Sequence, residues 1–241
     1  VDGLFVYPEN DNLIINQFET ILSSFFLVYS NRNFEPCNNL DYFYKAQEES
    51  GAIRWKYDVK TGEPVFDETN PEGVGLPLFA YAEFNLYHKS ANKKRIKGIM
   101  PFLQKYLTWI DENFRKENGL YSAPVSASTM IDSPRKNVCY PIDFNACMAV
   151  NASYMSALGD ILNDKEISFQ YRKLYFSIKT KINSLMWDED TGFYYDLDEN
   201  ENKIKVKSIA SYLTMLAEIP NADKADILVE HLINPGEFGT E

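Results

Sequence analysis

Apolar positions along the chain recur mostly at intervals of three and four. Between Leu13 and Ser30 they fall at Ile14, Ile15, Phe18, Ile21, Leu22, Phe25, Phe26 and Tyr29, the spacing of a helix that buries one face. A second helix is predicted from Pro36, a residue suited to a first helical turn, through Leu40, Phe43 and Tyr44 to Ala46, ending before Ser50-Gly51. The segment Gly51–Pro71 breaks the pattern: Ile53, Trp55, Tyr57 and Val59 alternate among Gly, Pro, Thr and Asp, which predicts a loop or short hairpin. Helical spacing returns over Gly75–Tyr87 and Asn92–Phe114, lapses over Asn118–Pro141, and returns over Phe144–Leu162 and Lys165–Met186. Asp188–Lys205, with Tyr194 and Tyr195 beside Gly192, reads as a hairpin or ordered loop, and Ile209–Ala217 and Ala222–Leu232 bring the total to about eight helices. Strand and helix patterns do not alternate, so a Rossmann fold or TIM barrel is disfavoured. Paired helices with short connections on one side and long, aromatic, Gly-bearing ones on the other predict an all-α fold, an α/α hairpin array or toroid. Its site belongs on the long-loop face.

Composition narrows the function classes. Hydrophobic residues at 45% and aromatics at 15% of 241 residues supply one sizeable core, which excludes a disordered chain. The most apolar stretch, Leu13–Val28, is interrupted by Asn16, Gln17, Glu19 and Thr20, so no membrane partner is expected. A formal charge of −11 argues against nucleic acid, because the one dense basic run, Lys93-Lys94-Arg95 with Lys97, lies in a helical pattern. An acidic surface suits a neutral substrate. The first residues lack the basic-then-apolar order of a signal peptide, and Val1 in place of Met suggests a trimmed or engineered start. Cys37, Cys139 and Cys147 have no CxxC spacing, and with only His88 and His231 beside them they predict reduced thiols, a cytoplasmic protein and no structural metal.

Candidate chemistry gathers in Ser126–Asn145. Asp132-Ser133-Pro134-Arg135 sets a carboxylate before a Pro-stiffened turn, either as a general acid if desolvated or as a simple turn former. Asp143 has the same two readings, as a site residue or as a cap of the helix from Phe144. Arg54-Trp55 and Trp187 offer a sugar-stacking surface or rim packing. Asp196, Asp198 and Asn200 begin like a calcium loop, but Glu201 occupies the place of the required Gly, which favours a solvated turn. Neither a nucleophile elbow nor a Gly-rich phosphate loop is present. The sequon at Asn151 falls inside a helical pattern, which argues against a glycan.

Six blocks, taken in order, resemble the α/α-toroid glycoside hydrolases, the trehalase-like and family 63-like α-glucosidases and the related glycogen debranching enzymes. They are Gln17-Phe18-Glu19-Thr20; Gln47-Glu48-Glu49-Ser50-Gly51-Ala52-Ile53; Gly75-Leu76-Pro77-Leu78-Phe79-Ala80; Asp132-Ser133-Pro134-Arg135 with Asp143-Phe144-Asn145; Trp187-Asp188-Glu189-Asp190-Thr191-Gly192-Phe193-Tyr194-Tyr195-Asp196; and His231 through Thr240. The resemblance implies a six-hairpin ring that hydrolyses a glycosidic bond with inversion, using an acid and a base carboxylate about 6.5–9.5 Å apart. It implies Asp132 as the acid, Arg54, Trp55, Arg135, Asp143 and Asn145 as groups that position sugar hydroxyls or brace the acid loop, a small saccharide as partner, and no cofactor. The family's base comes from the C-terminal part of the toroid. The chain is therefore expected to be a single domain forming the N-terminal two-thirds of the ring, completed by a further segment or a partner chain. A toroid that binds a saccharide or protein without catalysis is the alternative, and an epimerase on the same scaffold is disfavoured because neither histidine lies in a long loop.

Overall fold

A computed structural model describes residues 3–4, 6–9, 12–29, 35, 37–128, 130 and 133–239. Eight α-helices are present among the described residues: α1 (Gln17–Leu27), α2 (Asn38–Lys45), α3 (Phe79–Ser90), α4 (Lys93–Phe114), α5 (Ile142–Leu162), α6 (Lys165–Lys181), α7 (Leu213–Leu216) and α8 (Ala222–Ile233). The helices α1, α3, α5 and α7 pack in that order as an inner row, while α2, α4 and α6 lie against α1, α3 and α5. The last helix, α8, is tied to the inner row by the Tyr212 hydroxyl, which donates to the Leu228 carbonyl at 2.9 Å. Helix α5 is the hub. It is buried along most of its length, and α6 closes on it at Gly159, where a Cβ would sit 2.7 Å from the Ser168 nitrogen.

The helical framework carries three small antiparallel sheets, which modifies the all-α expectation. Strands β1 (Tyr7–Glu9), β2 (Asn12–Asn16) and β3 (Lys56–Asp58) form one; β4 (Trp187–Asp188) with β5 (Phe193–Tyr194) and β6 (Asp196–Leu197) with β7 (Lys203–Ile204) form the others. Leu13–Asn16, predicted as helix, is a strand: Ile14 pairs with Asp58, Ile15 with Tyr57 and Asn16 with Lys56. Both isoleucines are buried, so the strand shows no apolar–polar alternation and its spacing imitates a helix. Asn16 then starts α1, its side chain accepting from Phe18 N at 2.9 Å and Glu19 N at 3.2 Å. Gly75–Leu78 likewise lies outside any helix. The residue before Pro77 is disfavoured in helical geometry, and α3 opens only at Phe79, with Asn151 Oδ1 accepting from Ala80 N at 2.9 Å. At the other end of the chain, α6 stops at Lys181 and passes through a π-helical turn, Ile182–Met186, and Ile209–Tyr212 is a 3-10 turn leading into α7. Trp187, read as a stacking surface or rim packing, is buried against Tyr194 with ring centroids 4.7 Å apart.

Three helices are also fastened by charge. Arg95 on α4 binds Glu83 of α3 through Nε at 2.8 Å and Nη2 at 2.7 Å, and Asp41 of α2 through Nη1 at 2.8 Å. The Tyr44 hydroxyl adds a 2.9 Å bond to Glu83, which is fully buried. Cys37, Cys139 and Cys147 are unpaired thiols. Among the described residues no helix is long and apolar enough to cross a membrane.

Candidate active site

The connection between β2 and α1, the strand entering β3, the extended Gly75-Leu76 and the turn at Ser126–Ser128 converge on a cleft of about 420 Å³. Its walls include Gln17, Glu19, Trp55, Lys56 and Ser128. Gln17 is fixed at the floor: its backbone N–H donates to Trp55 O at 2.7 Å, and its side-chain amide donates to Leu76 O at 2.9 Å and the Tyr106 hydroxyl at 3.1 Å. Gly75 allows that approach, since a Cβ there would lie 2.4 Å from Gln17 Oε1. Trp55 is held by its indole N–H, which donates to Val65 O at 2.7 Å. A larger concavity of about 980 Å³ lies between the starts of α4 and α6, but it is lined by helix-surface residues such as Lys93, Lys97 and Lys165, away from the long connections.

Beside Ser128 the chain leading toward α5 is held by side-chain bonds. Met130 N donates to Ser128 Oγ at 3.0 Å and Ser133 N to Met130 O at 3.3 Å. Arg135, whose side chain has no exposed surface, uses every nitrogen of its guanidinium: Nε to Ser133 Oγ at 3.0 Å, Nη2 to Ser128 Oγ and Asp143 Oδ2 at 3.0 Å each, and Nη1 to both oxygens of Asp196 at 3.3 and 3.4 Å. Ser128 Oγ in turn donates a short bond to Asp143. Asp196 also accepts from Ile142 N at 2.7 Å, capping α5 from a distant segment. Burial pushes the Asp196 carboxyl up to about 6, although Arg135 and the Ile142 N–H pull it down. Burial pulls the Arg135 pKa down, but Asp143 and Asp196 outweigh it and leave the guanidinium raised.

Of the residues singled out in the sequence, Asp132 lies outside the described residues. Trp55 lines the cleft; Arg54, Arg135, Asp143 and Asn145 do not. Arg54 is paired with Glu48 through two 2.6 Å bonds, donates to Glu72 O at 2.6 Å and sits over the Trp109 ring at 5.3 Å. Asp143 is within the first turn of α5, not its cap, and is fully buried under the acid loop. Asn145 exchanges bonds with Tyr121, accepting from its N–H at 2.8 Å and donating to its carbonyl at 3.0 Å, and donates to Pro141 O at 2.8 Å. In all four the side-chain polar atoms are engaged with protein partners. The sequence reading passed over Gln17, Glu19, Lys56 and Ser128 as cleft-lining residues, since only tertiary convergence brings them together. It also placed Asp196 on a solvated turn. That turn is organised by Asp198, which accepts from Asn200 N and Asn202 N at 2.9 and 2.8 Å, while Asp196 points inward.

Residues 132–241 match the family model of the mannosylglycerate hydrolase MGH1-like glycoside hydrolase domain. An uncharacterized protein of Borreliella burgdorferi is 50% identical over 234 residues, covering 97% of this chain and 49% of the relative, so the chain spans about half of that relative's length. In fold, the chain is similar to a GH63 mannosylglycerate hydrolase of Thermus thermophilus solved in complex with glucose, with a TM-score of 0.75 at 18% identity over 96% of this chain and 70% of that one. The structure of that enzyme with Tris and D-glycerate gives 0.77 at 15% identity, over 92% and 71%. A rhamnosidase from Klebsiella oxytoca with rhamnose bound gives 0.70 at 14% identity, over 92% and 42%. Residues 132–241 thus carry the likeness to the MGH1-like glycoside hydrolase domain, and the chain as a whole shares its helical fold with these solved glycosidases.

Proposed function

We propose that the complete protein hydrolyses the glycosidic bond of an α-glucoside or related small saccharide with inversion, and that Asp132 is the general acid. The observation that carries this reading is the placement of the stapled acid-loop base, Ser128, in the wall of the same cleft as Trp55, Gln17 and Glu19. The cleft thus joins an apolar ring and hydroxyl-binding groups to the loop that bears the carboxylate. Mannosylglycerate is the first substrate to test, because Lys56 brings a cation into the cleft wall, where a glycerate carboxylate would meet it. The partner carboxylate is supplied from outside residues 1–241. Supporting this, the inner row of helices among the described residues ends at α1 and α7, and Leu22 and Phe26 of α1, with Tyr29 just beyond it, are exposed. Further hairpins packed there would close the ring and bring the base over the cleft.

The test is to give the complete protein mannosylglycerate and a panel of neutral α-glucosides and to read the anomer released. Inversion releases the β-anomer first. Asp132→Asn is expected to lower kcat by about 10²–10⁴-fold, the range of general acid–base catalysis, without unfolding the protein. Unchanged hydrolysis in that variant removes Asp132 from the acid role, and release of the α-anomer first removes inversion.

A further inference from the structure

Among the groups that hold Arg135, Asp196 comes from farthest along the chain, 61 residues away. It grips two points at once: the guanidinium just after the acid loop and, through Ile142 N, the start of α5. Its own backbone is anchored, because Leu197 O accepts from Cys139 N at 2.9 Å and Tyr140 N at 3.0 Å, and Leu197 N donates to Tyr140 O at 3.2 Å. The strand β6 is therefore a fixed post beside the segment 133–142, and the Asp196 side chain is the brace from that post to the loop.

We propose that Asp196 is a positioning residue for the segment before α5, holding Arg135 and through it Ser128 and Ser133, which flank the candidate acid Asp132 in the sequence. This deepens the glycosidase reading and rests on it. The charged and titratable groups around Asp196 are Arg135 and, beyond the guanidinium, Asp143; Lys205 and Lys203 on the same hairpin face Asp188 instead, at 3.2 and 3.9 Å. A carboxyl raised to about 6 exchanges its proton within the working range of an enzyme. The sign matters. A folded pKa above the unfolded value contributes stability that is present at low pH and lost as pH rises through about 6, so protonating Asp196 does not unfold the protein. What protonation removes is the charge that holds Arg135, and its signature is loosening at the residues Arg135 holds, Ser128 and Ser133, and at Met130 between them.

Two readouts on the full protein test this. Hydrogen exchange, corrected for intrinsic rates, should show protection of the Ser128, Met130 and Ser133 amides falling about tenfold between pH 7.5 and 5 in the wild type, while the interior of α5 keeps its protection. Asp196→Asn retains the acceptor for Ile142 N but lacks the charge, so its loop should be as loose at pH 7.5 as the wild-type loop is at pH 5. Its kcat should fall about tenfold at pH 7.5, the order expected for small misplacement of a catalytic group, with KM little changed, and the ratio to wild type should approach one toward pH 5. Equal protection in variant and wild type, or an activity ratio independent of pH, overturns the proposal. If Asp196→Asn fails to fold, the wild-type exchange series decides alone. Hydrogen exchange also separates the two readings, because it reports on the loop even if no glycoside is cleaved.

Discussion

Arg95 and Arg135 are each held between two carboxylates with a hydroxyl nearby, yet they fasten different things. Every side chain in the Arg95 group sits on a helix, and those helices are already joined by apolar packing through residues such as Phe43, Phe79 and Ile96. Asp41, on its rim, keeps 37% of its side chain exposed. The Arg135 group instead joins a loop, a helix start and a two-residue strand, and its three charged side chains are nearly without exposed surface. Where helices supply the framework, the guanidinium adds stability to something already positioned. Where the segment is irregular, the guanidinium ties together residues that no regular element joins.

Replacing each arginine by Met gives the largest effect and the sharpest form of that contrast. Each change leaves at least one buried carboxylate, Glu83 or the Asp143–Asp196 pair, without its counter-charge and is expected to cost about 3–5 kcal/mol, measured by urea denaturation. Below the transition the two should part company: Arg95→Met keeps its activity per folded molecule and its acid-loop protection, whereas Arg135→Met loses both. Comparable losses of kcat in the two variants would show that the acid loop owes no special debt to Arg135.

A smaller effect separates the carboxylates. Asp143→Asn removes a charge-assisted bond in a dry site and should cost about 2–3 kcal/mol. Asp41→Asn acts at the rim, where solvent screens the pair, and should cost less than about 1 kcal/mol. Equal costs would mean that burial does not distinguish the two clusters.

The same distinction explains what the sequence could disclose. Helix α4 was predicted over Asn92–Phe114 and runs over Lys93–Phe114 because Ile96, Met100, Leu103, Leu107 and Ile110 keep one long buried face, and periodicity reports such a face directly. Leu13–Asn16 was misread because a strand buried on both faces loses the alternation that marks it, and Gly75–Leu78 because its buried apolar residues run on into α3 although Pro77 sets the helix start back to Phe79. Around the site, Arg135 and Asp143 were legible as neighbours in one short segment, though their bracing role was visible only once their partners were known. Asp196 was hidden by its separation from Arg135 along the chain, and Gln17 and Lys56 by the fact that a cleft between four connections has no signature in any one of them. Spacing alone left Asp132 open between a turn and a site, and only the family resemblance offered the acid reading that the Asp132→Asn assay tests.

The finest comparison uses the hydroxyls. Tyr44 donates to Glu83 at 2.9 Å, and Glu83 keeps both of its bonds to Arg95 if that hydroxyl is removed, so Tyr44→Phe should cost about 1 kcal/mol and leave the helices where they are. Ser128 is used three ways: it donates to Asp143 and accepts from Met130 N and Arg135 Nη2. Ser128→Ala orphans a backbone N–H and one guanidinium N–H at once, and its global cost should be similar, because water can reach the loop it loosens. The difference should appear locally, as faster exchange at Met130 and its neighbours and a fall in kcat that Tyr44→Phe does not share. If Tyr44→Phe and Ser128→Ala alter stability and kcat in the same proportion, the two clusters do the same job, and the distinction between fastening a framework and positioning a loop fails at its most sensitive point.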